Sequence, residues 1–227
     1  MLFRRKDKYK NVIRFSDEDR GLVIYRYGSD KEDLPLLPGS VIQVLPHQEI
    51  AFMTQEGLAD VMDEGNYRLN AETFLILAER IPFLTRPLTP LKAELYFVSK
   101  APVTERKWAT KSPALIEQQG HMYAVRAFGT YDFQVKDVIA FLWEIFFKRG
   151  LKSTYEITAY LPVLLANAFS AVISEMNLPV TSIINHPREL SDLVREKANR
   201  LARDMGFSFT DVVIEGASLP ENKGQKI

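Results

Sequence analysis

Residues 122–134 read MYAVRAFGTYDFQ, and this stretch decides the class of fold. Its apolar and small residues recur at every second position. One side of an extended chain would carry Tyr123, Val125, Ala127, Gly129, Tyr131 and Phe133. The other side would carry Arg126, Thr130, Asp132 and Gln134. A period of two is typical of a half-buried strand. We therefore predict a long strand with one face in the core and one face toward solvent.

The residues before this strand also favour strands and turns. Short segments rich in apolar residues stand between turns rich in glycine, proline or acidic residues, at 12–15, 22–27, 40–45, 50–54 and 58–62. Residues 103–110 are another plausible strand. The segment 92–99 alternates, because Leu95 and Phe97 share one face while Lys92 and Glu94 share the other. This alternation predicts a second half-buried strand.

After residue 135 the apolar spacing becomes that of helices. Residues 136–148 place Val138, Phe141, Leu142 and Ile145 on one stripe. Ser153 and Glu156 have the spacing of a capping box, which predicts a helix reaching about residue 176 with a kink or late start at Pro162.

A third helix, 187–205, is predicted before a last strand at 207–219. Its apolar stripe would be Leu190, Leu193, Val194, Ala198, Leu201, Ala202 and Met205. This order of elements, with strands first, helices next and a strand last, predicts an α+β fold. We expect a curved, mostly antiparallel β-sheet with packed helices, which lie mainly in the second half.

Composition excludes several classes of protein. The 227 residues are 46% hydrophobic and 26% charged, as in ordinary globular proteins. The sequence has no cysteine, which excludes disulfides, thiolate metal sites and a thiol nucleophile. No apolar run reaches the roughly 18 residues that a membrane span needs, so none is predicted.

The residues that usually carry catalysis are not arranged for it. His47, His121 and His186 lack the spacing of a metal pair, and the glycine patterns of phosphate loops and nucleophile elbows do not occur. Acidic residues such as Asp63 and Glu64 fall in predicted turns, where carboxylates are usually solvated. We therefore predict no catalytic residues, no cofactor, no metal and no enzyme.

The N-terminus concentrates positive charge. Residues 1–15 carry six basic side chains and one acidic one, although the net charge of the chain is zero. Each Lys or Arg near an anionic leaflet contributes about 1 kcal/mol, and inserted apolar side chains add to this. We predict membrane contact by Leu2, Phe3, Arg4, Arg5, Lys6, Lys8 and Lys10. The alternative interpretation is that these basic residues form a solvated N-terminal end before the first strand. Nucleic acid is not an expected partner, because no aromatic RNA-binding signature accompanies the cluster.

Four segments resemble a known family. Residues 91–110 read LKAELYFVSKAPVTERKWAT, 122–133 read MYAVRAFGTYDF, 48–69 read QEIAFMTQEGLADVMDEGNYRL, and 215–220 read EGASLP. They are similar, in order and spacing, to segments of the SPFH/Band 7 family of stomatins, prohibitins and flotillins. The resemblance is to the bacterial virion-core-protein-like subgroup rather than to the stomatins proper. Its motifs match here at Gly65, Tyr67, Glu94, Phe97, Trp108, Thr110, Arg126, Phe128, Gly129, Tyr131, Leu219 and Pro220.

The resemblance implies structural or subunit-contact roles for the matched residues; a cross-strand pair of Arg126 with Glu94 is one expectation. It also implies a non-catalytic scaffold or adaptor, peripheral to the inner face of a membrane in the cytoplasm. Expected partners are further copies of the chain, an anionic membrane surface and a membrane-stress protein.

The resemblance also implies a domain organisation: a basic arm at 1–11, an SPFH/Band 7-like domain at 12–220 and a polar tail at 221–227. Family members commonly continue into a coiled coil, and this subgroup into a zinc ribbon. The sequence ends at Ile227 without cysteine, so no thiolate ribbon is expected and large-ring assembly stays open. Two alternatives stay open as well: a soluble protein-interaction module of the same fold, and an enzyme that uses this scaffold.

Overall fold

The computed structural model describes residues 12–15, 22–27, 36, 39–54, 57–70, 94–151 and 153–219. The chain divides into two units, Met1–Ala101 and Pro102–Ile227. The α+β class is confirmed, with mostly antiparallel strands and helices mainly in the C-terminal half. The strands of the described residues belong to three sheets, where the sequence suggested one curved sheet. The predicted boundaries at residues 12 and 220 stay predictions.

The first unit contains two of the sheets. One has the order β1-β3-β6, from β1 (Val12–Arg14), β3 (Val41–Val44) and β6 (Gly65–Arg68), and its β1–β3 pair is parallel. The other has the order β2-β7-β4-β5, from β2 (Ile24–Arg26), β7 (Glu94–Ser99), β4 (Gln48–Thr54) and β5 (Gly57–Met62). Residues of both sheets form one apolar core cluster, which includes Ile42, Ile50 and Phe97.

Strand β7 corrects one prediction. The alternation in 92–99 predicted a half-buried strand, yet Leu95 through Ser99 are all buried, including Tyr96 and Val98 on the side expected to face solvent. The reason is position in the sheet, because β7 is an inner strand between β2 and β4. An inner strand covered on both faces does not need a polar side.

The sheet of the second unit has β11-β10-β8 as its strand order. It is formed by β8 (Val103–Ala109), β10 (His121–Val135) and β11 (Phe207–Ser218), while β9 (Ala114–Gln118) pairs with the first part of β10. The predicted inner face of β10 is confirmed, because Val125, Ala127, Tyr131 and Phe133 are buried. The sequence did not predict β9 as a strand.

The first helix, α1, runs over Val138–Phe147, with an α-helical turn to Phe141 and a π-helical segment from Leu142. Its predicted stripe is confirmed as buried. Gly206 fixes its start: the backbone N–H groups of Lys136 and Asp137 both donate to the Gly206 carbonyl, at 2.8 and 3.0 Å. A Cβ at Gly206 would lie 2.2 Å from the Phe141 backbone nitrogen, so only glycine fits there.

Helix α2 (Thr154–Met176) begins at the predicted capping box, in which the Ser153 Oγ accepts from the Glu156 N–H at 3.2 Å. The helix continues through Pro162, so the late start is not observed. Among the described helices, α2 is the one that is long and apolar enough to cross a membrane, by length and composition. Its side chains Leu161, Leu165 and Phe169 are buried, however, and it packs on β8, β9 and the last helix as a core helix does.

Helix α3 (Val180–Asn185), which the sequence did not predict, leads to a 3-10 turn (Pro187–Leu190) and helix α4 (Ser191–Leu201). Leu190, Val194, Ala198 and Ala202 are buried as predicted. The predicted apolar stripe included two residues that are not buried, because Leu193 and Leu201 are exposed. A helix that covers one sheet edge buries a narrow stripe.

Candidate interaction surfaces

One face of the second unit's sheet carries exposed apolar side chains. The alternation of β10 that buries Tyr131 turns Met122 and Phe128 outward, and these are 62% and 51% exposed. Leu115 of β9, 61% exposed, lies opposite Ala124, on the same face as Met122. We call Leu115, Met122, Arg126 and Phe128 the open sheet face. Grouped exposed apolar side chains of this kind are typical of contact surfaces.

Two glycines position the Phe128 ring on this face. A Cβ at Gly216, directly across on β11, would lie 2.7 Å from the Phe128 ring, so the glycine leaves the space that the ring occupies. A Cβ at Gly129 would lie 1.9 Å from the Val213 carbonyl oxygen, next to a register shift between the two strands. The motif residues Phe128 and Gly129 therefore define a local strand geometry that presents an aromatic ring to solvent.

Three other motif residues of this unit, Trp108, Thr110 and Tyr131, lie in the core. Trp108 is 3% exposed, and its ring centroid lies 6.4 Å from that of Phe169 on α2. The Trp108 Nε1 has no hydrogen-bond partner among the described residues. The Thr110 Oγ accepts from the Ala127 N–H at 3.1 Å, which ties the end of β8 to β10. Trp108 and Thr110 therefore connect the sheet to helix α2 and strand β8 to β10.

Tyr131 completes a hydrogen bond that Pro162 leaves open. Proline has no N–H, so the carbonyl four residues earlier, at Thr158, cannot accept the usual helical bond from position 162. The Tyr131 hydroxyl donates to that Thr158 carbonyl at 3.2 Å. Burial raises the pKa of Tyr131 above its ordinary value, since the charged form would lose its hydration. Its role is therefore structural.

The motif residues of the first unit have similar local roles. A Cβ at Gly65 would lie 3.1 Å from the Tyr67 hydroxyl, which itself donates to the Asp63 carbonyl at 3.0 Å. Phe97 is part of the core cluster. The Glu94 carboxylate pairs with Arg26 at 2.8 Å. Gly65 and Tyr67 thus shape the turn that joins β5 to β6.

The expected pair of Arg126 with Glu94 is wrong. Glu94 is on β7, which pairs with β2 and β4, whereas Arg126 is on β10 and lies opposite Ser218 of β11. The sequence around Glu94 and Arg126 did not show that their two strands belong to different sheets. Leu219 is exposed, at the end of β11. Pro220 and the predicted membrane contacts, Leu2, Phe3, Arg4, Arg5, Lys6, Lys8 and Lys10, lie outside the described residues.

A second exposed apolar surface was missed from the sequence. Helix α1 buries its predicted stripe but leaves Ile139, Trp143 and Phe147 exposed. The signal was present, because nine of the ten residues in VIAFLWEIFF are apolar and Glu144 is the exception. A helix that is apolar all round has more than one face to cover. We call Ile139, Trp143 and Phe147 the α1 stripe.

The described residues offer little to catalysis. They contain no group of three or more His, Asp or Glu side chains arranged to hold a metal. A cleft of about 240 Å³ lies between the turn after β8 and helix α2, and its polar lining includes Lys111, Asn167 and Ser170.

The comparison with known proteins fits this arrangement of strands and helices. The family model described as SPFH domain-Band 7 family matches residues 24–227. The chain belongs to the SPFH domain-Band 7 family. SPFH proteins are in general membrane-associated, oligomerising scaffolds, and most are non-catalytic. No curated protein matches this chain.

Proposed function

We propose that this SPFH protein is a non-catalytic scaffold or adaptor that self-assembles at the cytoplasmic face of a membrane, to which it is peripherally attached. The open sheet face is the observation that carries the proposal, because β10 presents Met122 and Phe128 to solvent while its other side forms the core. A surface of this kind suits contact with another macromolecule. Recruitment of a membrane-stress protein would be its adaptor role.

Two features of the sequence support the finer parts of this proposal. The segments EGASLP and MYAVRAFGTYDF support the bacterial virion-core-protein-like subgroup of the family. The basic arm supports a lipid contact by Arg4, Arg5, Lys6, Lys8 and Lys10, with Leu2 and Phe3 inserted. Attraction between such an arm and anionic lipid is electrostatic, and salt screens it.

Co-sedimentation with vesicles tests the proposal. We expect binding to phosphatidylcholine vesicles that contain phosphatidylglycerol, weaker binding at high salt, and little binding to phosphatidylcholine alone. Replacing Arg4, Arg5, Lys6, Lys8 and Lys10 by glutamine should remove about 1 kcal/mol per charge, so affinity should fall by orders of magnitude at low salt.

A matched control replaces five basic residues outside the arm, Arg188, Arg195, Lys197, Arg200 and Arg203, by glutamine and should bind almost normally. If the arm variant still sediments fully, the arm mechanism is wrong. If the unmodified protein binds no vesicle at either salt concentration but retains one stoichiometric protein partner, the alternative of a soluble interaction module of the same fold replaces the proposal.

A further inference from the structure

The α1 stripe is a continuous aromatic and aliphatic surface along one helix. Ile139, Trp143 and Phe147 are 55%, 53% and 40% exposed and follow each other at intervals of four residues. The Trp143 and Phe147 ring centroids are 6.0 Å apart. In the π-helical segment the Lys148 N–H bonds to the Trp143 carbonyl, five residues earlier, so side chains four and five apart share a face. The helix thus presents one exposed row.

The opposite side of α1 fixes this row in place. Val138, Phe141, Leu142 and Ile145 are buried, so the helix cannot rotate to hide Trp143 without exposing its core side. The first turn is capped, because the Asp137 carboxylate accepts from the Ala140 N–H at 2.9 Å. The exposed row is therefore a fixed property of the folded unit and not a consequence of a loose helix.

Basic side chains stand at both ends of the row. Lys136 precedes the helix, and Lys148 and Arg149 follow it, all exposed. The Arg149 guanidinium lies 5.0 Å from the Tyr160 ring. Residues 136–149 carry these three basic side chains and two acidic ones, so their net charge is +1. Asp137 caps the helix and Glu144 pairs with Lys148. An apolar row with Trp in it and cations at its ends matches an anionic lipid interface, where Trp lies at headgroup depth and Lys or Arg reaches the phosphates.

The size of the row argues against a second copy of the chain as its occupant. Ten residues of helix are about 15 Å long, and a helix is about 10 Å wide, so the row covers roughly 150 Å². A stable protein interface buries about 800 Å² on each partner. A lipid leaflet has no such minimum, because shallow insertion of a few aromatic side chains adds to whatever else holds the protein at the surface.

We propose that the α1 stripe inserts into the headgroup region of an anionic leaflet, as a membrane contact separate from the N-terminal arm. The inference rests on the proposed membrane association and adds a second site to it. The two sites differ in chemistry: binding by the arm is electrostatic and removed by salt, whereas insertion of Trp143 and Phe147 is apolar and persists in salt.

Tryptophan emission tests this directly, because the chain has two tryptophans and Trp108 is buried in the core. We expect phosphatidylcholine–phosphatidylglycerol vesicles to shift the emission of the full chain to shorter wavelength, and vesicles with brominated acyl chains to quench it. Trp143→Phe should abolish both signals while Trp108→Phe keeps them. The double variant Trp143→Ser/Phe147→Ser should bind about tenfold more weakly at high salt, because two half-exposed side chains no longer insert. Leu193→Ser, at another exposed apolar position, should bind normally.

The outcomes separate the two proposals. Vesicle binding without any change in Trp143 emission overturns the inserted stripe and leaves the arm as the lipid contact. No vesicle binding at all overturns both. An emission shift that grows with protein concentration in the absence of vesicles shows that a second copy covers the stripe, and this too overturns the proposal.

Discussion

At the scale of single residues, the contact of Tyr131 with the Thr158 carbonyl gives a direct prediction. Tyr131→Phe leaves that carbonyl, in the turn before Pro162, without its donor. An unsatisfied buried polar group costs about 1–3 kcal/mol, so we expect the free energy of unfolding to fall by about 1–2 kcal/mol. Urea denaturation followed by circular dichroism measures this change. Tyr155→Phe, at an exposed tyrosine of the same helix, should change it by less than about 0.5 kcal/mol.

A double-mutant cycle isolates the contribution of Pro162 to the effect of Tyr131→Phe. In a Pro162→Ala background a backbone N–H is available to Thr158, so Tyr131→Phe should cost about 1 kcal/mol less than it does in the original chain. Equal costs in both backgrounds would contradict the account.

The same variant has a second readout in alkaline solution. Because burial raises the pKa of Tyr131, its stabilising contribution is complete below the unfolded value of about 10 and is lost as pH rises through the folded value. The difference in free energy of unfolding between the original chain and Tyr131→Phe should therefore become smaller above a pH of about 10.

The sequence predicted the environment of Tyr131 but not its partner. Period two is a local property and correctly placed Tyr131 on the buried face. The bond to Thr158 joins residues 27 positions apart, and only the packing of α2 against the sheet creates it. The expected pair of Arg126 with Glu94 failed for the same reason, since the choice of neighbouring strand is a long-range property that local spacing does not encode.

At the scale of elements, Asn199 holds helix α4 against the outer edge of β11. Its side-chain amide donates to the Phe209 carbonyl at 3.0 Å and accepts from the Phe209 N–H at 2.8 Å, as a neighbouring strand would. The Ser191 Oγ accepts from the Ile214 N–H at 3.0 Å further along. An exposed strand edge favours pairing with other chains, so these side chains also protect the edge.

Asn199→Ala should therefore lower the free energy of unfolding by about 2 kcal/mol, since two backbone groups of Phe209 lose their partner. Asn199→Asp keeps the acceptor and loses the donor, so its loss should be smaller. Glu196→Ala, at an exposed position of the same helix, is the control. Amide hydrogen exchange measures the local effect. The Phe209 N–H should exchange faster in Asn199→Ala than in the original chain, and its exchange rate should be unchanged in Glu196→Ala. Unchanged exchange at Phe209 in both variants would contradict this role.

Elements were predictable where their signals are local. The capping box at Ser153 and the period of β10 located their elements from sequence alone. The predicted third helix, 187–205, was too long at both ends, because residues 187–190 form a 3-10 turn and α4 ends at Leu201. Strand β9 has only five residues, too few to show a clear period in sequence, and it pairs along its length with the first part of β10. The division into three sheets likewise depends on pairings such as the parallel β1–β3 contact, which bring distant segments together.

At the scale of the whole molecule, the open sheet face predicts how the chain assembles. If copies associate through this face, burial of Leu115 and Met122 contributes to the free energy of association at about 25 cal/mol per Å² of apolar area. Leu115→Thr and Met122→Thr keep residues that favour strands, whereas replacing Phe128 would also remove the ring packed against Gly216. The double threonine variant is therefore the cleaner probe of assembly.

We expect Leu115→Thr/Met122→Thr to weaken self-association at least tenfold in sedimentation velocity, with an unchanged thermal midpoint at dilutions where both proteins are monomeric. Leu193→Thr/Leu201→Thr, which removes two exposed leucines from helix α4, should associate like the original chain. Equal weakening by both pairs would mean that exposed apolar area in general, and not this face, drives assembly. Because neither pair touches the α1 stripe, Trp143 emission with vesicles should persist in both, and this separates assembly from lipid contact.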